Sequence, residues 1–321
     1  IGAVMTSFRI FYAVLENDLR KVLSYSLINK LGFMVCAIGI GSALALNGAV
    51  AHAFSHILYK SLLFMSMGAV LYRVGNIYAS DLGGLYKSMP KTTVLCIVGA
   101  ASISAVPLFS GFVAKSMVMT ALLQEQLTIV WLMLLFASAG VLHHAGIKVP
   151  FFAFFAHDSG IRTKEAPTNM LIAMAIAAFL CIFIGVQPQY LYAMLPWEMD
   201  YWPYDVSHVL AQLQLLFFAA LAFVWMEIKG YAPPELHSTN IDVEWLYRKL
   251  LPATASAVSR SSQGLMRGIE DVVHASIKRA GAGVRDTRAG RFHFAASWPT
   301  GSMVLWIAII LGAFLVADVF Q

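Results

Sequence analysis

GAVAHAFSHILYKSLLFMSMGAVL, residues 48–71, carries a single formal charge, on Lys60. A helix needs about 20 predominantly apolar residues to cross the hydrocarbon core of a bilayer. A surface helix of a soluble domain would set a charged face opposite its apolar one, and this stretch has none. It therefore predicts a transmembrane helix. The pattern repeats at about 1–15, 22–42, 92–122, 130–156, 169–187, 207–228 and 302–320. The expected fold class is all-α, a polytopic transmembrane helix bundle. Composition agrees. Hydrophobic residues make up 59% of the 321 and charged residues 12%, where a soluble domain carries about a quarter charged.

The charges are unevenly placed. Of the 22 Lys and Arg, 17 fall in loops 16–21, 72–91, 157–168 and 229–301, and none in loops 43–47, 123–129 and 188–206. That asymmetry assigns the first set to the cytoplasmic side. It also explains the net charge of +5 without nucleic acid. Loop 188–206, rich in Trp and Tyr, has the composition of an interfacial belt on the outer face. The expected organisation is a bundle of about seven helices over 1–228, the first truncated. A basic cytoplasmic connector with surface helices follows over 229–301, then a C-terminal transmembrane helix over 302–321. The connector reads as a helix on anionic lipid around 258–279 or as a solvated linker. The start at Ile1 reads as the interior of a helix, so a preceding part is expected. The expected location is a bacterial inner (cytoplasmic) membrane, multi-pass. Cys36, Cys96 and Cys181 lie within apolar runs and lack CxxC spacing, which indicates neither disulfides nor a zinc site.

The remaining cations, Arg9, Lys30, Lys60, Lys115 and Lys148, fall inside the predicted spans. An ionisable group at membrane depth costs at least about 2.5–3.5 kcal/mol on insertion scales. Arg9 can snorkel from a helix end; Lys60 and Lys115 are bracketed by apolar sequence. His52, His56 and Lys60 recur every four residues, so on a helix they drift only about 80° and form a stripe about 12 Å long. Imidazole passes protons between its two nitrogens near neutral pH, and a lysine in such surroundings exchanges a proton as well. The row suits proton hopping. Two other readings stand beside it: His52 and His56 as i, i+4 metal ligands, and polar residues gluing helices together. No nearby Asp, Glu or Cys completes a metal site.

Residues 92–122 exceed one span. Pro107 removes a backbone donor and clashes with the preceding turn, and Gly111 lets the chain leave helical geometry. A discontinuous helix near Pro107–Gly111 is expected, with Lys115 just beyond it. Transporters place ion sites at such breaks; an ordinary proline kink is the plainer reading. In VLHHAGIKVPFFAFF, His144 and Lys148 form a further i, i+4 pair, with His143 adjacent and Pro150 as a kink. Lys30, in YSLINKLGFM, completes the set. Only Glu227 and Asp318 bring carboxylates into the spans, both near ends. Either the lysines are neutral for part of a cycle or carboxylates come from outside this stretch, and the latter is expected, from a preceding half of the protein or a neighbouring subunit.

ENDLRKVLSYSLINKLGFM, AHAFSHILYKSLLFMSMGAV, GGLYKSMP and SAVPLFSGFVAKSMVM, in order over about 1–125, resemble the antiporter-like subunits of respiratory complex I and of Mrp-type Na+/H+ antiporters. HAGIKVPFFAFFAHDSGIR, IDVEWLYRKLLP and the final WPTGSMVLW are similar to the D-type branch of the Mrp subunits. The resemblance implies that His52, His56 and Lys60 sit on a central proton-transfer axis. It implies that Lys115 is the terminal lysine at the broken helix, and that a Glu and a Lys belong to an earlier half. Where Lys30 stands, the family more often has Gln. The implied function is cation/proton antiport, with H+ and Na+ or another monovalent cation as cargo. The implied partners are other membrane subunits of a hetero-oligomeric complex. The alternative is the proton-pumping membrane subunit of complex I or a membrane-bound hydrogenase. No cofactor, metal or chemical reaction of its own is expected of this chain, and no phosphate loop or nucleophile constellation is visible.

Overall fold

The computed structural model describes residues 1–237, 245–286 and 300–319. The Arg288–Arg291 part of the basic connector and residues 241–244 of the IDVEWLYRKLLP motif lie outside the described residues, as do residues 298–299 of the final motif. Every regular element among the described residues is helical, and five helices are long and apolar enough to span a membrane.

The first compact unit, Ile1–Asn240, begins with α1 (Gly2–Leu15), α2 (Leu19–Ile40) and α3 (Ala43–Val74). Asp18 starts α2 by accepting from the backbone amides of Arg20 and Lys21, which satisfies two of the donors every helix leaves open at its N-terminus. α3 is 32 residues long and takes in residues 43–47, which the charge pattern assigns to a loop. It packs against α2, α4 (Pro90–Ile103), α5 (Ser110–Gln124) and α7 (Thr168–Val186), so the titratable stripe lies on the central helix. α6 (Thr128–Val141) continues through π-helical turns at Leu142–Lys148 and Phe151–Phe155 as one span, Thr128–Phe155. The short α8 (Pro188–Tyr192) and the long α9 (Val206–Lys229) follow.

The expected break between α4 and α5 is present, but its chemistry differs from expectation. The break lies at 104–109, where Ala105 (φ 58°) and Leu108 (φ 73°) are left-handed and Pro107 withholds a donor. Gly111 is inside α5. Its role is close approach, because a Cβ there would stand 1.8 Å from the Ser102 carbonyl oxygen. Gly185 of α7 does the same for the break, since its Cβ would meet the Leu108 carbonyl oxygen at 2.1 Å. Tyr204 donates to the Gly185 carbonyl beside it.

The loops grouped by charge meet at one end. Asn17 donates to Ser80 (3.1 Å) and Lys87 pairs with Asp158 (2.7 Å). Arg162 pairs with the same carboxylate at 2.7 Å. Glu165 accepts from the Lys91 amide (2.8 Å) and the Thr92 hydroxyl (2.6 Å). At the other end Asn47 donates to the Trp197 carbonyl (2.6 Å) and accepts from its amide (3.2 Å). Outward faces are apolar: Phe54 and Ile57 of α3, and Ile172, Ile176 and Phe179 of α7, are exposed. The second unit, Ile241–Gln321, contains α10 (Leu251–Asp286) and α11 (Thr300–Val319). Along α10, Val258, Ile269, Val272, Val273 and Ile277 are exposed, in a sequence that also carries Arg260, Arg267, Lys278 and Arg279.

Candidate functional site

α3 sets His52, His56 and Lys60 on its inward face, where they are 1%, 7% and 4% exposed. The Lys60 ammonium donates to the Leu23 carbonyl of α2 at 2.6 Å and lies 5.8 Å from the centre of the Phe64 ring. His52 stacks on Phe33 of α2 (centroids 5.7 Å apart, planes 8° apart) and its Nε2 stands 3.5 Å from the Tyr59 hydroxyl. His56 meets Tyr59 edge-on at 5.6 Å. Nδ1 of His52 and Nε2 of His56 are buried with no protein hydrogen-bond partner among the described residues. Each is thus placed to take or give a proton. Lys30 of α2 is 2% exposed, with its ammonium 5.2 Å from the centre of the Phe33 ring. It interacts electrostatically with Lys60, Lys115, His52, His56 and His144. Lys30 therefore lies among the other buried titratable groups.

Across the helix break, Lys115 of α5 is 4% exposed and donates to Gln212 Oε1 of α9 at 2.8 Å. Gln212 in turn donates to the Ser104 carbonyl at 3.1 Å, one of the carbonyls that the end of α4 leaves without an intrahelical partner. Ser102 and Ser110 bridge the break at 2.9 Å. Gln212 is one of two buried side chains of α9, with Phe223, so this helix turns a polar group inward and apolar groups outward. A cavity of about 240 Å³ runs beside Lys115 and Gln212 past Thr120 to Ser207 and His208. Thr120 and His208 are 2.9 Å apart, and His208 pairs with Asp205 at 2.8 Å. The cavity thus leads from Lys115 towards the end of the bundle that bears Trp197.

On the opposite side, the π-helical turns of α6 carry His144 and Lys148, 0% and 1% exposed. π-turns recur at functional sites because they re-aim side chains within a helix. Lys148 donates to the Val14 carbonyl at the end of α1 (2.5 Å) and pairs with Glu235 at 2.7 Å. The expectation that every counter-charge comes from elsewhere is therefore wrong for Lys148. The chain turns back after α9 and brings its own carboxylate, whose side chain is 11% exposed. Both ring nitrogens of His143 are buried without a protein hydrogen-bond partner among the described residues, while the neighbouring His144 bonds the Gly140 backbone. Arg9 stays half-buried, with its guanidinium 5.7 Å from the Tyr12 and Tyr25 ring centres. Sequence reading missed Gln212 and Glu235. An amide in the otherwise apolar AQLQLLFF was a signal for the first; a connector glutamate gave none for the second.

Residues 1–143 match the model of the family described as NADH:quinone oxidoreductase/Mrp antiporter, TM. Hydrogenase-4 component B of Escherichia coli (strain K12) is 28% identical over 215 residues, 60% of this chain and 32% of its own length. The A component of the Na(+)/H(+) antiporter of Alkalihalophilus pseudofirmus is 30% identical over 207 residues, 56% of this chain and 26% of its own length. The chain thus spans about a third or less of these curated relatives. A chain in the structure of the membrane-bound sulfane sulfur reductase, an archaeal respiratory membrane complex, shares the fold. It does so with a TM-score of 0.58 at 23% identity, over 98% of this chain and 55% of that one. The stretch that matches this family of multi-pass membrane proteins, residues 1–143, holds Lys30, His52, His56, Lys60 and Lys115.

Proposed function

We propose that this chain is a proton-translocating subunit of a monovalent cation/proton antiporter of the Mrp type. Its buried lysines and histidines would pass protons through the membrane interior. The observation that carries the reading is the co-burial of seven titratable side chains. Lys30, His52, His56, Lys60, Lys115, His144 and Lys148 are each at most 7% exposed within one bundle, at a depth where such groups are costly and mark ion pathways. A proton on Lys60 rests against the Leu23 carbonyl, passes along His56 and His52, and reaches Lys115. There Gln212 holds it at the mouth of the cavity. Charge repulsion through Lys30 makes arrival of one proton favour departure of another. The cargo is H+ and Na+ or another monovalent cation, and the partners are other membrane subunits of a hetero-oligomeric complex in a bacterial cytoplasmic membrane. In the second unit, α10 lies on the lipid surface through its apolar stripe, with arginines and lysines at the headgroups.

The test is Na+-dependent collapse of a pH gradient in everted vesicles that contain the complete complex. Removing a proton-transfer group typically costs about 10²-fold or more in rate. Lys60→Ala and Lys115→Ala are each expected to lose Na+-dependent proton flux on that scale while the complex still assembles. The similarity to a hydrogenase component supports a second reading, a proton pump driven by a redox arm. Under that reading Na+ dissipates no gradient and electron donors build one.

A further inference from the structure

The segment after α9 does more than connect. α9 stops at Gly230 (φ 71°), and the amides of Tyr231 and Ala232 bond back to the Met226 carbonyl at 2.9 and 3.3 Å. Pro233 and Pro234 stiffen the return. Beyond Glu235, the His237 ring bonds Asp81 (2.9 Å) and Ser80 (3.2 Å) and packs on Tyr78 at 4.8 Å. Glu235 is thus held between two anchors, like the middle of a strap. It enters the bundle at the end where the basic loops meet. One carboxylate oxygen, Oε1, is 2.7 Å from the Lys148 ammonium. The other, Oε2, is buried and has no hydrogen-bond partner among the described residues. Leu236 and His237, which follow it directly, are exposed. One short strap therefore separates that oxygen from water.

A permanent ion pair would leave Lys148 a structural post. The surroundings argue for a changeable one. Burial raises the affinity of the Glu235 carboxylate for a proton, the Lys148 ammonium opposes that rise, and Glu227 and Glu16 reinforce it. Lys148 also has a second, neutral acceptor in the Val14 carbonyl. That carbonyl belongs to the last turn of α1, whose dipole favours a cation. His143, on the same π-turn, interacts electrostatically with Lys148 and has both ring nitrogens without a protein partner among the described residues; its neighbour His144 interacts with His143 and with Lys60.

We propose that Glu235 is the proton-loading carboxylate of the basic-loop end, supplying Lys148 with the protons it passes inward. The inference rests on the relay reading above. In the resting pair, Glu235 is a carboxylate and Lys148 an ammonium. Lys148 gives one Nζ proton to a His143 ring nitrogen and becomes a neutral amine. A proton from water then binds the carboxylate. The resulting O–H delivers it to Nζ, and the ion pair is restored. One proton has left the aqueous side and one sits on His143, beside His144 and its interaction with Lys60; nothing is oxidised or reduced.

The test uses the complete complex in everted vesicles, with Glu235→Gln, Glu235→Asp and Lys60→Ala compared across pH. An infrared titration of the carboxyl band absent from Glu235→Gln accompanies it. Glu235→Gln is expected to lose flux by about 10²-fold, the scale of a lost acid–base group, with the amount of assembled complex unchanged. Glu235→Asp should restore part of it with a shifted pH profile, and the Glu235 band should titrate within the pH range of transport. Wild-type flux and pH profile in Glu235→Gln would overturn the proposal, as would a Glu235 that never protonates over that range. If Lys60→Ala abolishes flux while Glu235→Gln does not, only this inference falls. If Lys60→Ala is silent, the relay reading falls, and the infrared titration still decides whether Glu235 takes up protons.

Discussion

Lys60 and Lys115 are held by neutral oxygens, the Leu23 carbonyl and the Gln212 amide. A carboxylate would grip an ammonium through a charge-assisted bond roughly twice as strong as a neutral one and make it slow to give up its proton. Neutral acceptors hold both lysines in place without fixing their charge. Gln212→Leu should therefore act twice, by orphaning the Lys115 ammonium and the Ser104 carbonyl. Each buried group left unsatisfied costs about 1–3 kcal/mol, read as a lower thermal midpoint of the assembled complex together with lower flux. Gln212→Glu should keep the contacts but install a counter-charge. Assembly should stay normal while flux falls, because Lys115 retains its proton; undiminished flux in that variant would contradict the role given to the amide. The seven titratable positions were legible in the sequence because an ionisable residue stands out in an apolar run. Their partners were not. A backbone carbonyl such as that of Leu23 leaves no mark in sequence, and Glu235 sits in a polar connector where a carboxylate is unremarked. Which lysine a side chain meets is a tertiary fact.

At the scale of elements, the break between α4 and α5 and the π-turns of α6 position the site. Gly111 packs against the α4 backbone, so Gly111→Ala forces a Cβ into the Ser102 carbonyl. Overpacking of this kind costs typically about 1–3 kcal/mol. The expected outcome is a lower melting temperature of the complex, with flux reduced because Ser102, Ser104 and Lys115 shift together; an unchanged melting temperature would contradict it. Pro107 and Gly111 announced a break in the sequence. The residues that bend, Ala105 and Leu108, carried no signal, because neither type favours positive φ and only the surrounding packing imposes it. The π-turns were likewise invisible beyond Pro150. At the basic-loop end, Arg162 and Lys87 hold the exposed Asp158 carboxyl well below its ordinary range. A depressed carboxylate contributes stability that is fully present above its unfolded value, about 3.9, and lost as pH falls through the lower folded value. Asp158→Asn should therefore alter thermal stability equally at pH 6 and pH 8. The difference from the parent should shrink only in strong acid, which a pH series of melting curves would show.

The molecule as a whole has inverted polarity: α9 buries Gln212 and exposes Phe217, Phe218 and Leu221, as a bundle dissolved in lipid must. That inversion was readable from apolar runs and from the lopsided Lys and Arg, which pointed to the helix bundle and to the shared end of its basic loops. Within it, Glu235 and Lys148 lie towards the basic-loop end, Lys30 and Lys60 at the centre, and Lys115 with its cavity towards the far end. The most direct test of that order is proton flux through the complete complex, reconstituted in liposomes, for Lys60→Ala, Lys115→Ala and the double variant. If the lysines act in one series, each single variant abolishes flux and the double variant adds nothing further. Wild-type flux in the double variant would contradict the relay outright.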